Sequence, residues 1–132
     1  MSKTKTSNKP RKRKVHIAVS GSSAGGLPEE YTEKAFQVGA EIARQGHILF
    51  TGVTTGFSLA AVKGARSQGG TIIGISPAAG SSEQQAMYEQ VDLSLWDHVI
   101  FTGVGYNMRD VIMILSVDAA VYIGGGVGTL VE

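Results

Sequence analysis

The sequence has no cysteine, which excludes disulfides, thiolate metal sites and cysteine nucleophiles. Its three histidines, His16, His47 and His98, share no metal-ligand spacing. Each precedes or opens an apolar run, so they read as strand-edge structural residues and no metal site is expected. No apolar stretch approaches the roughly 20 residues of a membrane span, and the first 14 residues lack the apolar centre of a secretory signal. A soluble, cytoplasmic protein is the expectation.

Acidic residues are missing from one end. Residues 1–14 hold Lys3, Lys5, Lys9, Arg11, Lys12, Arg13 and Lys14, seven of the twelve basic residues, and no acid. The other 118 residues hold five basic residues against eleven acidic, a balance of −6. A body of that sign is a poor surface for nucleic acid. Only Lys9-Pro10-Arg11-Lys12-Arg13-Lys14 offers a nucleic-acid arm or nuclear-import patch, against the simpler reading of a disordered, solubilising leader.

Glycine is what the chain has in excess: 18 of 132 residues, against a usual share of about 7%. The glycines fall at turns between apolar runs. Val15–Ser20 is a short, β-branched run suited to a buried strand, ending at Gly21-Ser22-Ser23-Ala24-Gly25-Gly26. Pro28, Glu29 and Glu30 suit a helix start, Ala35, Val38, Ile42 and Ala43 recur at helical spacing, and Gly46 closes the helix. The same grammar repeats with a strand at 47–51, a turn at 52–56, a helix at 57–68 closed by Gly69-Gly70, and a strand at 71–75. The stretch 80–96 is polar and shows no period; beyond it come a strand at 98–102, a helix at 108–116 and a strand at 119–123. Strands alternating with helices predict right-handed βαβ crossovers: a Rossmann-like α/β fold, a parallel sheet with helices on both faces. No heptad or apolar stripe marks a face for a second subunit.

In such sheets ligands sit beyond the C-terminal strand ends, near the switch in strand order. The glycine turns at 21–26, 52–56 and 124–128 each follow a strand, so they fall on that rim. Gly124-Gly125-Gly126-Val127-Gly128-Thr129 carries the strongest signal. Four glycines in five positions cost backbone entropy, and they make sense where N–H groups turn toward an anion at a helix start. Gly21, Ser22 and Ser23, and Gly52, Thr54 and Thr55, are weaker candidates for phosphate or nucleotide contact, each equally readable as an ordinary βα turn. No lysine follows the last glycine, so this is not a Walker loop, and the glycine phase does not fit a dinucleotide fingerprint. Arg109 is the only basic residue after Arg66; it reads as a bidentate anion clamp or as a surface arginine paired with Asp110 or Asp118. Glu132, three residues after Thr129, has the spacing of a capping box.

Together these segments resemble the LOG (Lonely Guy) family, once mislabelled lysine decarboxylases. Gly124 to Glu132 matches the signature PGGxGTxxE at every fixed position but the first, and Gly21-Ser22-Ser23 with Pro28 and Tyr31 is similar to the family's opening. Lys63-Gly64-Ala65-Arg66, Gly69-Gly70 and Gly74-Ile75-Ser76-Pro77 resemble its middle region, so the likeness runs from Val15 to Glu132. Residues 1–14 read as a disordered basic tail from their charge, and the resemblance implies a nucleotide-binding α/β domain over 15–132. It also implies hydrolysis of the N-glycosidic bond of a nucleoside 5′-monophosphate, with Arg109 and Glu132 as the catalytic pair and no cofactor required.

The departures matter. Thr51-Gly52-Val53-Thr54-Thr55-Gly56 replaces a glycine run, Asp110 replaces a lysine, and Gly124 replaces a proline. The stretch from Thr102 to Arg109 is closer to a sister branch, the molybdenum-cofactor-carrier-like proteins. That branch implies the alternative: a non-catalytic binder of a nucleotide or molybdopterin-type cofactor. The family continues past its signature, so a C-terminally truncated chain is expected here, and a homo-oligomer when full length.

Overall fold

The computed structural model describes residues 13–21 and 28–124. Its elements, in chain order, are β1 (His16–Gly21), α1 (Glu29–Arg44), β2 (Ile48–Gly52), α2 (Phe57–Ser67), β3 (Thr71–Ser76), α3 (Ser81–Met87), a 3-10 turn (Leu93–Leu95), β4 (His98–Phe101), α4 (Tyr106–Leu115) and β5 (Ala119–Ile123). The strands form one parallel sheet in the order β4-β3-β2-β1-β5. The Rossmann-like α/β reading therefore holds.

Alternation along the strands divides the core in two. Val19, Leu49 and Ile72 face α1 and α2, where they pack with Ile42, Ala61, Val62 and Ala65. Ala18, Phe50 and Ile75 face the other way and meet Met113 of α4. Helices cover both faces because the chain reverses direction once. From β1 to β4 it steps toward one edge; α4 then carries it back to place β5 beside β1. A right-handed crossover in the reversed direction must lie on the opposite face.

Glycine lets α1 and α2 approach closely. A side chain on Gly39 would collide with the Ala61 backbone, and one on Gly64 with the Phe36 carbonyl. Gly46 ends α1 with φ 77°, in the left-handed region that a residue with a Cβ adopts only with strain.

The stretch without a readable period, 80–96, holds a short helix and a 3-10 turn that fold back on the α2 face. Val91 and Trp96 join the core there, with Tyr88, Leu93 and Leu95 against it. α4 starts at Tyr106, two residues before the sequence suggested, because Gly105 at φ 83° supplies the break that precedes it.

The expectation of no apolar stripe is corrected. Met108, Val111 and Leu115, at helical spacing on α4, are 51%, 49% and 81% exposed. Register puts Ile100 beside Ile75 and Tyr122 beside Ser20, on the same face as α4, and both are exposed. No helix among the described residues is long and apolar enough to cross a membrane.

At the opposite end of the sheet, Arg13 donates from both Nη atoms to Asp118 at 3.1 and 3.0 Å. The His16 backbone N–H donates to the same carboxylate at 2.9 Å. That backbone hydrogen bond first, and Arg13 second, hold the Asp118 carboxyl below its ordinary value. The His16 ring lies 4.9 Å from that of Phe50, and its Nδ1 lies 3.2 Å from the Ser116 carbonyl oxygen.

Candidate functional site

The switch in strand order falls between β1 and β5, and their C-terminal ends meet at Phe57, the first residue of α2. A Cβ on Gly21 would stand 3.0 Å from Phe57 Cδ2, and one on Gly124 would stand 3.1 Å from Phe57 Cε2. Phe57 is 2% exposed. The ends of β1 and β5 and the start of α2 thus meet at one buried ring, and a Cβ on Gly21 would also collide with the Ile123 carbonyl of β5. Ser58 fixes the start of α2 by donating to the Val19 carbonyl at 3.3 Å.

The β2–α2 loop forms the next wall. Thr51, Gly52 and Val53 are buried, Thr54 and Thr55 half-buried. The Thr54 hydroxyl is enclosed and makes no hydrogen bond within the described residues, an arrangement that is costly unless a further partner arrives. Gly56, at φ 88°, leads into the N-terminus of α2. Beside it a groove of about 260 Å³ runs between α1 and α2, walled by Phe36, Leu59 and Ala60 with Glu29, Glu33 and Lys63 at its mouth.

Arg109 reaches this wall from the far face. It is 7% exposed, and its Nη1 donates to the Ile75 carbonyl at 3.2 Å. Its Nε lies 2.8 Å from Asp110 Oδ1, although neither atom makes an aligned hydrogen bond. The guanidinium occupies the space a side chain on Gly52 would need. The pairing with Asp110 read from the sequence is therefore present but buried, whereas Asp118 belongs to Arg13 at the other end of the sheet. At the head of α4 the Tyr106 hydroxyl lies 2.6 Å from that of Tyr88. Burial first, then that hydrogen bond, push the Tyr106 phenol up to about 12, with nearby Arg109 acting the other way.

Of the residues the sequence singles out, Gly21, Gly52, Thr54, Thr55 and Arg109 lie on this rim. Ser22, Ser23, Gly125, Gly126, Gly128, Thr129 and Glu132 fall outside the described residues. Sequence reasoning missed Phe57, Gln84 and Trp96. A phenylalanine opening a helix looks like any core residue, and a glutamine within a polar stretch looks like surface. Among the described residues no cluster of His, Cys, Asp or Glu could hold a metal ion.

A doubly wound parallel sheet with its strand order reversing between β1 and β5 defines an α/β protein of the Rossmann type. Residues 14–132 match the model of the SLOG cluster4 family, and the chain belongs to that family. An uncharacterised protein from Archaeoglobus fulgidus is 36% identical over 118 residues, which are 89% of this chain and 70% of that one. Among solved structures, the molybdenum cofactor binding protein from Rippkaea orientalis superposes with a TM-score of 0.75 at 34% identity, over 89% of this chain and 67% of its own. The molybdenum cofactor carrier protein from Chlamydomonas reinhardtii gives 0.73 at 35%, over 89% and 66%. The chain thus spans about two thirds of the length of these solved relatives.

Proposed function

We propose that this chain binds a phosphorylated, nucleotide-type ligand on the rim where β1, β2 and β5 end. The observation that carries the reading is the meeting of Gly21, Gly124 and the start of α2 at Phe57, because a helix N-terminus beside closely approaching glycine backbone suits an anion. The phosphate sits against the turn that follows β5, where Gly125, Gly126, Gly128 and Thr129 supply N–H and hydroxyl donors. Ser22 and Ser23, which follow β1 in the sequence, add hydroxyls, and Thr54 adds one that has no partner among the described residues. The organic part of the ligand extends past Gly56 into the groove between α1 and α2.

The relatives' named cargo makes a molybdopterin-type cofactor, which also carries a phosphate monoester, the first alternative to a nucleoside monophosphate. Binding without turnover is the better-supported reading, since the Arg109 guanidinium is already engaged by Asp110 and the Ile75 carbonyl. Hydrolysis of the N-glycosidic bond, with Arg109 and Glu132 as the pair, is the second. The two part in one experiment: incubation with a panel of nucleoside 5′-monophosphates, followed by calorimetry for binding and chromatography for free base. The carrier reading expects binding and no base release. A Gly126→Asp variant, which puts a carboxylate in the anion loop, loses roughly tenfold or more in affinity. Release of base by the parent chain establishes the hydrolase instead, and binding unchanged in Gly126→Asp overturns the placement of the phosphate.

Self-association completes the reading. The two charged residues of α4, Arg109 and Asp110, face each other in the interior, so the exposed stripe of Met108, Val111 and Leu115 is uncharged. A second copy brings no like charge against it, and a two-fold axis pairs the stripe with itself.

A further inference from the structure

Three consecutive residues where β2 ends and its loop begins are each met by one side chain, and the three side chains come from three different segments. Trp96 Nε1, ahead of β4, donates to Thr51 Oγ1 at 2.9 Å. The Arg109 guanidinium, from α4, lies across Gly52 and is pinned by the Ile75 carbonyl at 3.2 Å. Gln84 Nε2, from α3, donates to the Val53 carbonyl at 2.8 Å, while its Oε1 accepts from Ser76 Oγ at 2.5 Å. Ser76 Oγ in turn accepts from the Ala78 N–H at 3.1 Å. Thr51, Val53 and Gln84 are fully buried and Trp96 is 4% exposed. Polar contacts enclosed to this degree are not screened, and losing either partner leaves the other unsatisfied.

Apolar side chains would fill this space with less risk. Instead Gln84, the one buried polar residue on the segment between β3 and β4, the indole of Trp96 and the one buried cation among the described residues all meet the chain just ahead of Thr54-Thr55-Gly56. Sequence position explains none of it, since Gln84 and Trp96 lie 31 and 45 residues from their partners. We infer that Gln84, Trp96 and Arg109 form a three-point clamp that fixes the geometry of the ligand-bearing loop after β2, so that Arg109 serves in this chain as a positioning residue rather than a ligand contact. The inference rests on the reading of that loop as ligand-bearing; the clamp itself is a property of the free protein. α3 thereby becomes part of the binding apparatus without touching the ligand.

The test compares Gln84→Met, Thr51→Val and Arg109→Met with the parent chain. Amide hydrogen exchange is measured residue by residue, and affinity for adenosine 5′-monophosphate by calorimetry. Trp96, the only tryptophan in the chain, reports the Thr51 contact through its emission. Gln84→Met is close in volume and removes both amide contacts. Exchange over 53–56 is expected to rise roughly tenfold or more, beyond any change in α1, whose amides follow global opening. Thr51→Val is milder and keeps the result readable if Gln84→Met folds poorly; it should shift Trp96 emission and quicken the same amides. In Arg109→Met, affinity and loop protection fall together.

Affinity lost in Arg109→Met with loop exchange unchanged makes the arginine a ligand contact and overturns the assignment. Loop exchange unchanged in Gln84→Met and Thr51→Val overturns the clamp. If the parent binds no adenosine 5′-monophosphate while the variants still release the loop, the clamp stands and the functional reading of the loop fails.

Discussion

Asp110→Ala removes the counter-charge from a guanidinium that is almost wholly buried. Arg109 and Asp110 side chains are 8% and 13% exposed, and the Nε to Oδ1 distance is 2.8 Å. Breaking a buried pair by deleting one partner typically costs about 3–5 kcal/mol, because the remaining charge stays desolvated. Here Nη1 keeps the Ile75 carbonyl, and the Nε–Oδ1 contact is not an aligned hydrogen bond. The low end, about 3 kcal/mol, is therefore the expected loss. Against a total stability of about 5–15 kcal/mol that is a large fraction, equivalent to a fall of about 10 °C in melting temperature for a chain of this size. Urea unfolding followed by far-UV circular dichroism measures it, with the slope compared between variants. The double variant Arg109→Met with Asp110→Leu removes both charges and is expected to lose less than Asp110→Ala alone. A loss below about 0.5 kcal/mol in Asp110→Ala, the range of an ordinary surface change, would falsify the idea that Arg109 depends on Asp110.

Gly64→Ala drives a methyl group into the Phe36 backbone and is expected to cost at least about 1–3 kcal/mol, read as a lower thermal midpoint; an unchanged midpoint means that α1 and α2 separate without penalty. Burial and the hydrogen bond with Tyr88 push the Tyr106 phenol up from its ordinary 10.0 to about 12. The stability it contributes is therefore fully present below pH 10 and is lost as pH rises through 12. Spectrophotometric titration at alkaline pH should show one late-ionising phenol in the parent that is missing in Tyr106→Phe, and four phenols titrating together would contradict it. Leu115→Lys places a charge in the α4 stripe and should convert an associated species to monomer in sedimentation velocity at equal concentration. Sedimentation identical to the parent removes this face as the contact.

The strands and long helices were legible because each rests on a local signal. β-branched runs such as Ile48-Leu49-Phe50 mark the strands, and glycines such as Gly46 and Gly69 mark where helices stop. The C-terminal strand ends were legible for the same reason, since glycines at 21, 52 and 124 stand where β1, β2 and β5 end. Gln84 was not: a buried glutamine in a seven-residue polar helix carries no period, and its partners Val53 and Ser76 lie in the loop after β2 and at the end of β3. The α4 stripe escaped for the opposite reason. In Val111-Ile112-Met113-Ile114-Leu115 every position is apolar, so no face stands out until Met113 is seen against the sheet and Leu115 away from it. Arg109 was singled out by its isolation in the sequence, but only the fold shows that its charge is turned inward toward Asp110 and the Ile75 carbonyl.

The central claim is that phosphate is held where β1, β2 and β5 end. The most direct measurement follows amide shifts of the isotopically labelled chain during titration with adenosine 5′-monophosphate and, separately, with adenosine. The account predicts that the monophosphate moves the amides of Gly21, of 52–56 and of 124–129, and that adenosine, lacking the phosphate, moves them little at equal concentration. Equal shifts with both compounds, or shifts confined to residues away from this rim, would contradict it.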